Sequence, residues 1–159
     1  MKEFYQAVLE ILEANTGAGF QLEGVAVLKN EFAGMKPSCV VVRRVSENVI
    51  GQNAQYKQVE GVIELNAFIQ INKRDSAAEH RETQEEAAEE LANKVEKVLL
   101  TDGRLISASF AEGITRHPEK TQMRNRAFGE FQHQDGEFVF VRTELSAHYV
   151  YRDMVLSLS

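Results

Sequence analysis

Cysteine is almost missing from this sequence. Cys39 is the only one in 159 residues, so no internal disulfide can form. It opens the apolar run CVVV (39–42), where a free thiol reads as a small buried hydrophobe. The run itself supplies no histidine or cation to lower its pKa and make it a thiolate nucleophile. An unpaired cysteine fits a reducing, intracellular setting. Long hydrophobic runs are missing too, and none approaches the ~18 residues that a bilayer crossing requires. Glutamates interrupt the apolar positions of the N-terminal MKEFYQAVLEILEANTG, which is not the pattern of a signal peptide. Nor is there an excess of positive charge. A net charge of −6 disfavours a general nucleic-acid binder, whose phosphate contacts need surplus Lys and Arg. Phosphate-loop, dinucleotide and serine-nucleophile fingerprints do not occur, which removes the commonest enzymes without removing all of them.

What is present is a chain with 43% hydrophobic and 26% charged residues, the balance of a soluble globular protein. Its length suits one domain spanning 1–159. Phe4, Val8, Ile11 and Leu12, with Tyr5 and Leu9 beside them, recur at the helical period and predict an amphipathic helix over 2–14. Gly17 or Asn15 suits the left-handed residue that ends it. A short strand is expected over 25–28 and a firmer one over 38–45, SCVVVRRV, which is rich in β-branched residues. Residues 46–58, SENVIGQNAQYKQ, are polar and contain glycine, which predicts an exposed loop or a long hairpin tip. In VEGVIELNAFIQI (59–71), Val59, Ile63, Leu65, Ala67, Ile69 and Ile71 alternate with Glu60, Glu64, Asn66 and Gln70. That is the pattern of a strand with one buried face, roughly 40 Å long at about 3.3 Å per residue.

The next stretch, RDSAAEHRETQEEAAEELANKVEKVL (74–99), gathers seven glutamates and His80. Ser76 with Glu79 forms a capping box, and Asp75 is a second candidate cap. Ala77, Gln84, Ala88, Leu91, Val95 and Val98 make a helical stripe that runs to TDG (101–103), where Gly103 can take positive φ. This helix, roughly 35 to 40 Å long at 1.5 Å per residue, matches the preceding strand. RLISASFA (104–111) predicts another strand, and 112–136 a long, mostly polar segment with a turn signal at 135–136. EFVFVRTELSAHYVY (137–151) alternates again and closes the sheet. The expected architecture is α+β: an antiparallel or mixed sheet of long strands, packed by an N-terminal helix and one long central helix. Polar loops project near 46–58 and 112–136.

The glutamates raise the question of a site. Metal-binding helices present ligands at i and i+4, but His80 has Gln84 at i+4 and Ala77 at i−3. No second histidine joins the pairs Glu82/Glu86 and Glu85/Glu89, and the apolar stripe turns these acids toward water. His117, His133 and His148 are far apart and lie in no metal motif. The reading therefore assigns no catalytic, cofactor-binding or metal-ligating residue. A reading of another class, a small cytoplasmic metal-dependent enzyme or ligand-binding domain, needs those histidines to converge with a glutamate. Charge placement says more. Residues 79–97 carry seven acids against Arg81, Lys94 and Lys97, a balance of −4, and 116–126 carries Arg116, Lys120, Arg124 and Arg126 against Glu119, a balance of +3. Ordinary solvated surface is the plain reading. Opposite patches on one small domain also suit a head-to-tail contact between copies.

The order of elements, with ELNAFIQINKRDSAAEHRETQEEAAEELANKVEKVLLTDGRL (64–105) and the final ELSAHYVY (144–151), resembles the tail-terminator, or tail-completion, proteins of long-tailed bacteriophages and prophages. The resemblance covers most of the chain and rests on pattern rather than on an invariant motif. It implies an α+β virion structural protein, not an enzyme, that forms a homohexameric ring capping the tail tube and joining it to the head connector. The implied partners are other copies of the chain, the tail-tube protein and the head-completion or connector protein. DNA would pass through the ring without specific binding, and no membrane or cofactor is involved. The implied location is the bacterial cytoplasm during assembly and then the virion tail or neck. The implied interface comprises Gln52, Asn53, Gln55 and Lys57 around Gly51, the basic residues Arg116, Lys120, Arg124 and Arg126, and the helix acids Glu82, Glu86 and Glu89. A head–tail connector or neck protein shares this element order and is the alternative within phage architecture.

Overall fold

The computed structural model describes residues 2–29, 36–53, 55–72, 78–101, 116–132 and 138–154. Two helices and five strands follow one another as α1 (Lys2–Ala14), β1 (Ala26–Lys29), β2 (Ser38–Gln52), β3 (Tyr56–Asn72), α2 (Ala78–Thr101), β4 (Arg116–Gln132) and β5 (Phe138–Met154). The strands form one mixed sheet in the order β1-β2-β3-β5-β4. Among the described strands only the β1–β2 pair is parallel. This is the expected α+β architecture, with long strands packed against an N-terminal helix and a longer central one.

The helical face holds the main core. α1 buries Phe4, Tyr5, Val8, Leu9, Ile11 and Leu12, and α2 buries Ala88, Leu91, Ala92, Val95, Val98 and Leu99. Beneath them lie Val59, Ile63, Leu65 and Ala67 of β3 and Leu145, Ala147, Tyr149 and Tyr151 of β5. β3 is 17 residues long and α2 is 24, so the strand runs roughly 55 Å while the helix covers only about 36 Å. The expected match of lengths is corrected: the strand outruns the helix. α1 covers the remainder, where Phe4 stacks on Tyr149 and the Tyr5 hydroxyl donates to the Val42 carbonyl at 3.0 Å. Of the two residues expected to end α1, Gly17 does not take positive φ. Among the described residues the glycines at positive φ are Gly19 and Gly24, and the Asn15 side chain caps the helix, its Nδ2 donating to the Ile11 carbonyl at 2.7 Å.

The long hairpin tip is the alternative that holds for 46–58, and one loop expectation gives way to a strand. Of 46–58, residues 46–52 belong to β2 and 56–58 to β3, and residue 54 between them lies outside the described residues. Asn53 Oδ1 accepts from the Gln55 amide at 2.8 Å there, an Asx turn. Of 112–136, residues 116–132 form β4. An edge strand tolerates a proline and polar side chains that a central strand would reject. Pro118 and the register shifts at 118/120 and 123/126 sit on such an edge. The second face of the sheet is also not uniformly solvated. Cys39, Val41, Phe68 and Phe140 form a smaller buried cluster on it, with Phe68 and Phe140 packed edge to face. The strand expected over 104–111, the capping box at Ser76 and the turn at 135–136 lie outside the described residues.

Candidate functional site

The sheet order decides where the surface is concave. α2 packs over β3 and β5, and β4 lies outboard of β5 at the edge. Between the helix and that edge runs a groove of about 560 Å³. Its wall is the acidic face of α2, with Glu82, Glu85, Glu86 and Glu89 at spacings of three and four that place them together. Across from them stands Glu130, and the guanidinium of Arg142 lies beside Gly129. Thr143 belongs to the floor. It pairs with Ala67 on one side and Phe128 on the other, so all three point to the helical face. Thr143 is only 1% exposed, and its Oγ1 has no hydrogen-bond partner among the described residues. Phe128 is 63% exposed above it.

The acidic helix and the basic segment also meet within the chain. Arg126 Nη2 donates to Glu96 Oε2 at 2.7 Å. Arg126, expected at an interface with another subunit, is thus engaged by its own helix. Both side chains are partly exposed, which limits the pair to the ~0.2–1 kcal/mol usual for such bridges.

A second surface is the edge of β2 beyond Val42. Among the described residues, β1 pairs with β2 only from Cys39 to Val42. Beyond that, Val45, Val49 and Ile50 are 56%, 54% and 51% exposed. Register shifts at 44/46 and 49/51 make Val45 and Ile50 bulge residues, a usual device for twisting an edge strand. The row at the sheet's end joins Gln52 to Lys57, Lys57 to Asp153 and Asp153 to Arg116. Asn53 and Gln55 are exposed just beyond it.

On the opposite face from the groove, Ser146 Oγ lies 3.0 Å from His148 Nε2, and His148 Nδ1 lies 3.8 Å from Glu60 Oε1. The connectivity is that of a nucleophile, base and acid. The Nδ1–carboxylate separation is too long for the hydrogen bond that would orient the imidazole, and the large groove is on the other side of the sheet. Ser146 and His148 are neighbours because residues two apart share a strand face. Asn66 continues this polar face, its Nδ2 donating to Glu64 Oε1 at 2.7 Å, and Arg43 approaches the same carboxylate at 3.8 Å. Among the described residues no three His, Cys, Asp or Glu side chains are grouped as metal ligands, and no helix is long and apolar enough to cross a membrane.

Of the residues singled out from sequence, the structure gathers Glu82, Glu86 and Glu89 in the groove, and Gln52, Asn53, Gln55 and Lys57 at one end of the sheet. Arg116, Lys120 and Arg124 lie along β4. The side chains of Arg116, Lys120, Arg124, His80, His117 and His133 lie outside the described residues. Phe128, Glu130, Arg142, Thr143 and the exposed β2 side chains were not foreseen. The available signal for Thr143 was its place in the alternation between Val141 and Leu145, both buried. No protein-family model matches the chain, and a search of curated proteins gives no significant match.

Proposed function

We propose that the protein is a structural assembly subunit that builds a homo-oligomeric ring, as the tail-terminator proteins it resembles do, capping a phage or prophage tail tube and joining it to the head connector. One observation carries the reading: the edge of β2 beyond Val42, where no strand pairs among the described residues and three apolar side chains are each more than half exposed. A long edge of that kind is a template for another chain, and apolar side chains clustered on it mark a contact surface. The opposite edge, β4, is polar and charged. Unlike edges favour head-to-tail contacts, which close into rings when the rotation permits.

Light scattering and negative-stain microscopy of the purified protein, with and without tail-tube protein, test the reading. Rings that bind the tube end are expected, and Val49→Lys/Ile50→Lys should abolish them while leaving the circular dichroism spectrum unchanged. A species that stays monomeric at high concentration, even with tube protein present, overturns it. Rings that bind a connector and ignore the tube would assign the neck role instead.

A further inference from the structure

We propose that Phe128 on β4 of one copy packs beside Val49 on β2 of the next, and that Glu130 meets Arg44 across the same seam and fixes its register. The proposal rests on the ring-assembly reading and names its contact. Six large apolar side chains are exposed among the described residues, and four of them stand on β2 beyond β1 or on the edge strand β4. They are Val45, Val49 and Ile50 on β2, and Phe128 on β4, the most exposed of the six at 63%. Phe128 and Val49 also share a face. Val49 pairs with Val59, a member of the core under the helices, and Phe128 pairs with Thr143, which points the same way. Directly paired residues lie on one face of a sheet, so two sheets laid edge to edge bring these groups together.

Charge selects the register. β2 and β4 run in opposite directions within the sheet, so copies that keep one strand sense set them antiparallel. On the helical face β2 presents Arg44, Glu47 and Val49 in turn, paired with Ile63, Gly61 and Val59. β4 presents Arg126, Phe128 and Glu130 there, paired with Leu145, Thr143 and Val141. The Arg44 guanidinium lies 5.5 Å over the Tyr5 ring and the Glu47 carboxylate accepts from the Tyr151 hydroxyl, which holds both charges on that face. Setting Phe128 opposite Val49 puts Glu130 against Glu47, and like charges directly opposite are destabilising. Setting Phe128 opposite Arg44 puts Glu130 against Val42, where β1 already pairs. Between these, Phe128 stands opposite Glu47 with Val49 as its diagonal neighbour, within reach of an aromatic side chain. Glu130 then stands opposite Arg44. Arg126 faces Val49, its charged end already turned to Glu96. Glu130 also lines the groove with four glutamates of α2, and an arginine from the next copy offsets that like charge. A contact made from two different surfaces propagates head to tail.

Sedimentation velocity on the wild type and on Phe128→Ser, Phe20→Ser, Arg44→Glu, Glu130→Arg and the Arg44→Glu/Glu130→Arg double variant tests this. Phe128→Ser should weaken association by about tenfold or more, the range for an aromatic anchor at an interface. Its melting temperature should be unchanged, because the ring is exposed in the single copy. Phe20→Ser removes a comparably exposed ring, 56%, that lies off the seam, and should assemble as the wild type does. Arg44→Glu and Glu130→Arg should each fail to assemble alone, because each sets like charges against one another at every contact. Mixed together they should assemble in alternation, and the double variant should assemble by itself. If every variant assembles as the wild type does, the contact is overturned while the ring reading stands. Charge variants that fail alone and recover neither in the mixture nor in the double variant overturn the register. A wild type that stays monomeric, even with tube protein present, overturns the ring reading and this contact together.

Discussion

The ring of Phe4 on α1 stacks on the ring of Tyr149 on β5, with centroids 3.9 Å apart and planes inclined by 17°. This contact joins the N-terminal helix to the part of the sheet that α2 is too short to cover. Truncating Phe4 to alanine should therefore cost about 3–5 kcal/mol, the range for a large buried aromatic. Urea denaturation followed by circular dichroism would measure it. A loss under about 1 kcal/mol would mean that α1 does not hold this end of the sheet.

Tyr149 lies flat because its cross-strand partner is Gly61. A methyl group at Gly61 would overlap the ring carbon and hydroxyl of Tyr149. Gly61→Ala should force the ring off Phe4 and destabilise by at least the ~1–3 kcal/mol typical of overpacking. Combining it with Tyr149→Leu should cost less than the two single changes added together, since the substitutions share one clash.

Burial pushes the Cys39 thiol up from its ordinary 9.0 to about 11, a rise only partly offset by a hydrogen bond from the Lys36 backbone. The folded state thus keeps its proton where the unfolded state loses it. Stability is fully present below pH 9 and is lost as pH rises from 9 toward 11, with a limiting slope of about 1.4 kcal/mol per pH unit. Cys39→Ala should remove most of that slope. Tyr5, raised by burial more than Arg44 lowers it, adds a loss of the same sign above its ordinary 10.0. Thiol labelling of the native protein near pH 8 should proceed only as fast as the chain opens.

The Arg126–Glu96 bridge should matter little to folding. A double-mutant cycle with Arg126→Gln and Glu96→Gln should give a coupling of roughly 0.2–1 kcal/mol that shrinks in 0.5 M salt. A coupling above about 2 kcal/mol would show that the pair is better shielded from water than its exposure implies.

Much of the fold was legible because period and burial coincide. The stripe of α2, the face of α1 and the alternation of β3 and β5 each follow from apolar residues that have to share a core. Residues 116–132 form a strand where a polar loop is expected, and of the two alternatives for 46–58, loop or long hairpin tip, the hairpin forms. An edge strand has a free side, and its side chains need not be apolar, so Ser46–Gln52 and Arg116–Gln132 carry the composition of loops. Pairing with β3 and β5 made them strands, and a partner far away in sequence leaves no local trace.

The sequence by itself determined which residues are wet on α2, that Cys39 is buried, and that the long alternating segments form a sheet under two helices. These properties depend on neighbours within a turn or a pleat. Only the tertiary structure decided that β5 inserts between β3 and β4. That order sets Thr143 opposite Phe128, carries Glu130 across from the helix glutamates, and turns a solvated acidic face into one wall of a groove. It also commits Arg126 to Glu96 within the chain. The reason is physical: an isolated helix face has charge but no depth, and depth exists only where a second element, brought by non-local pairing, stands beside it.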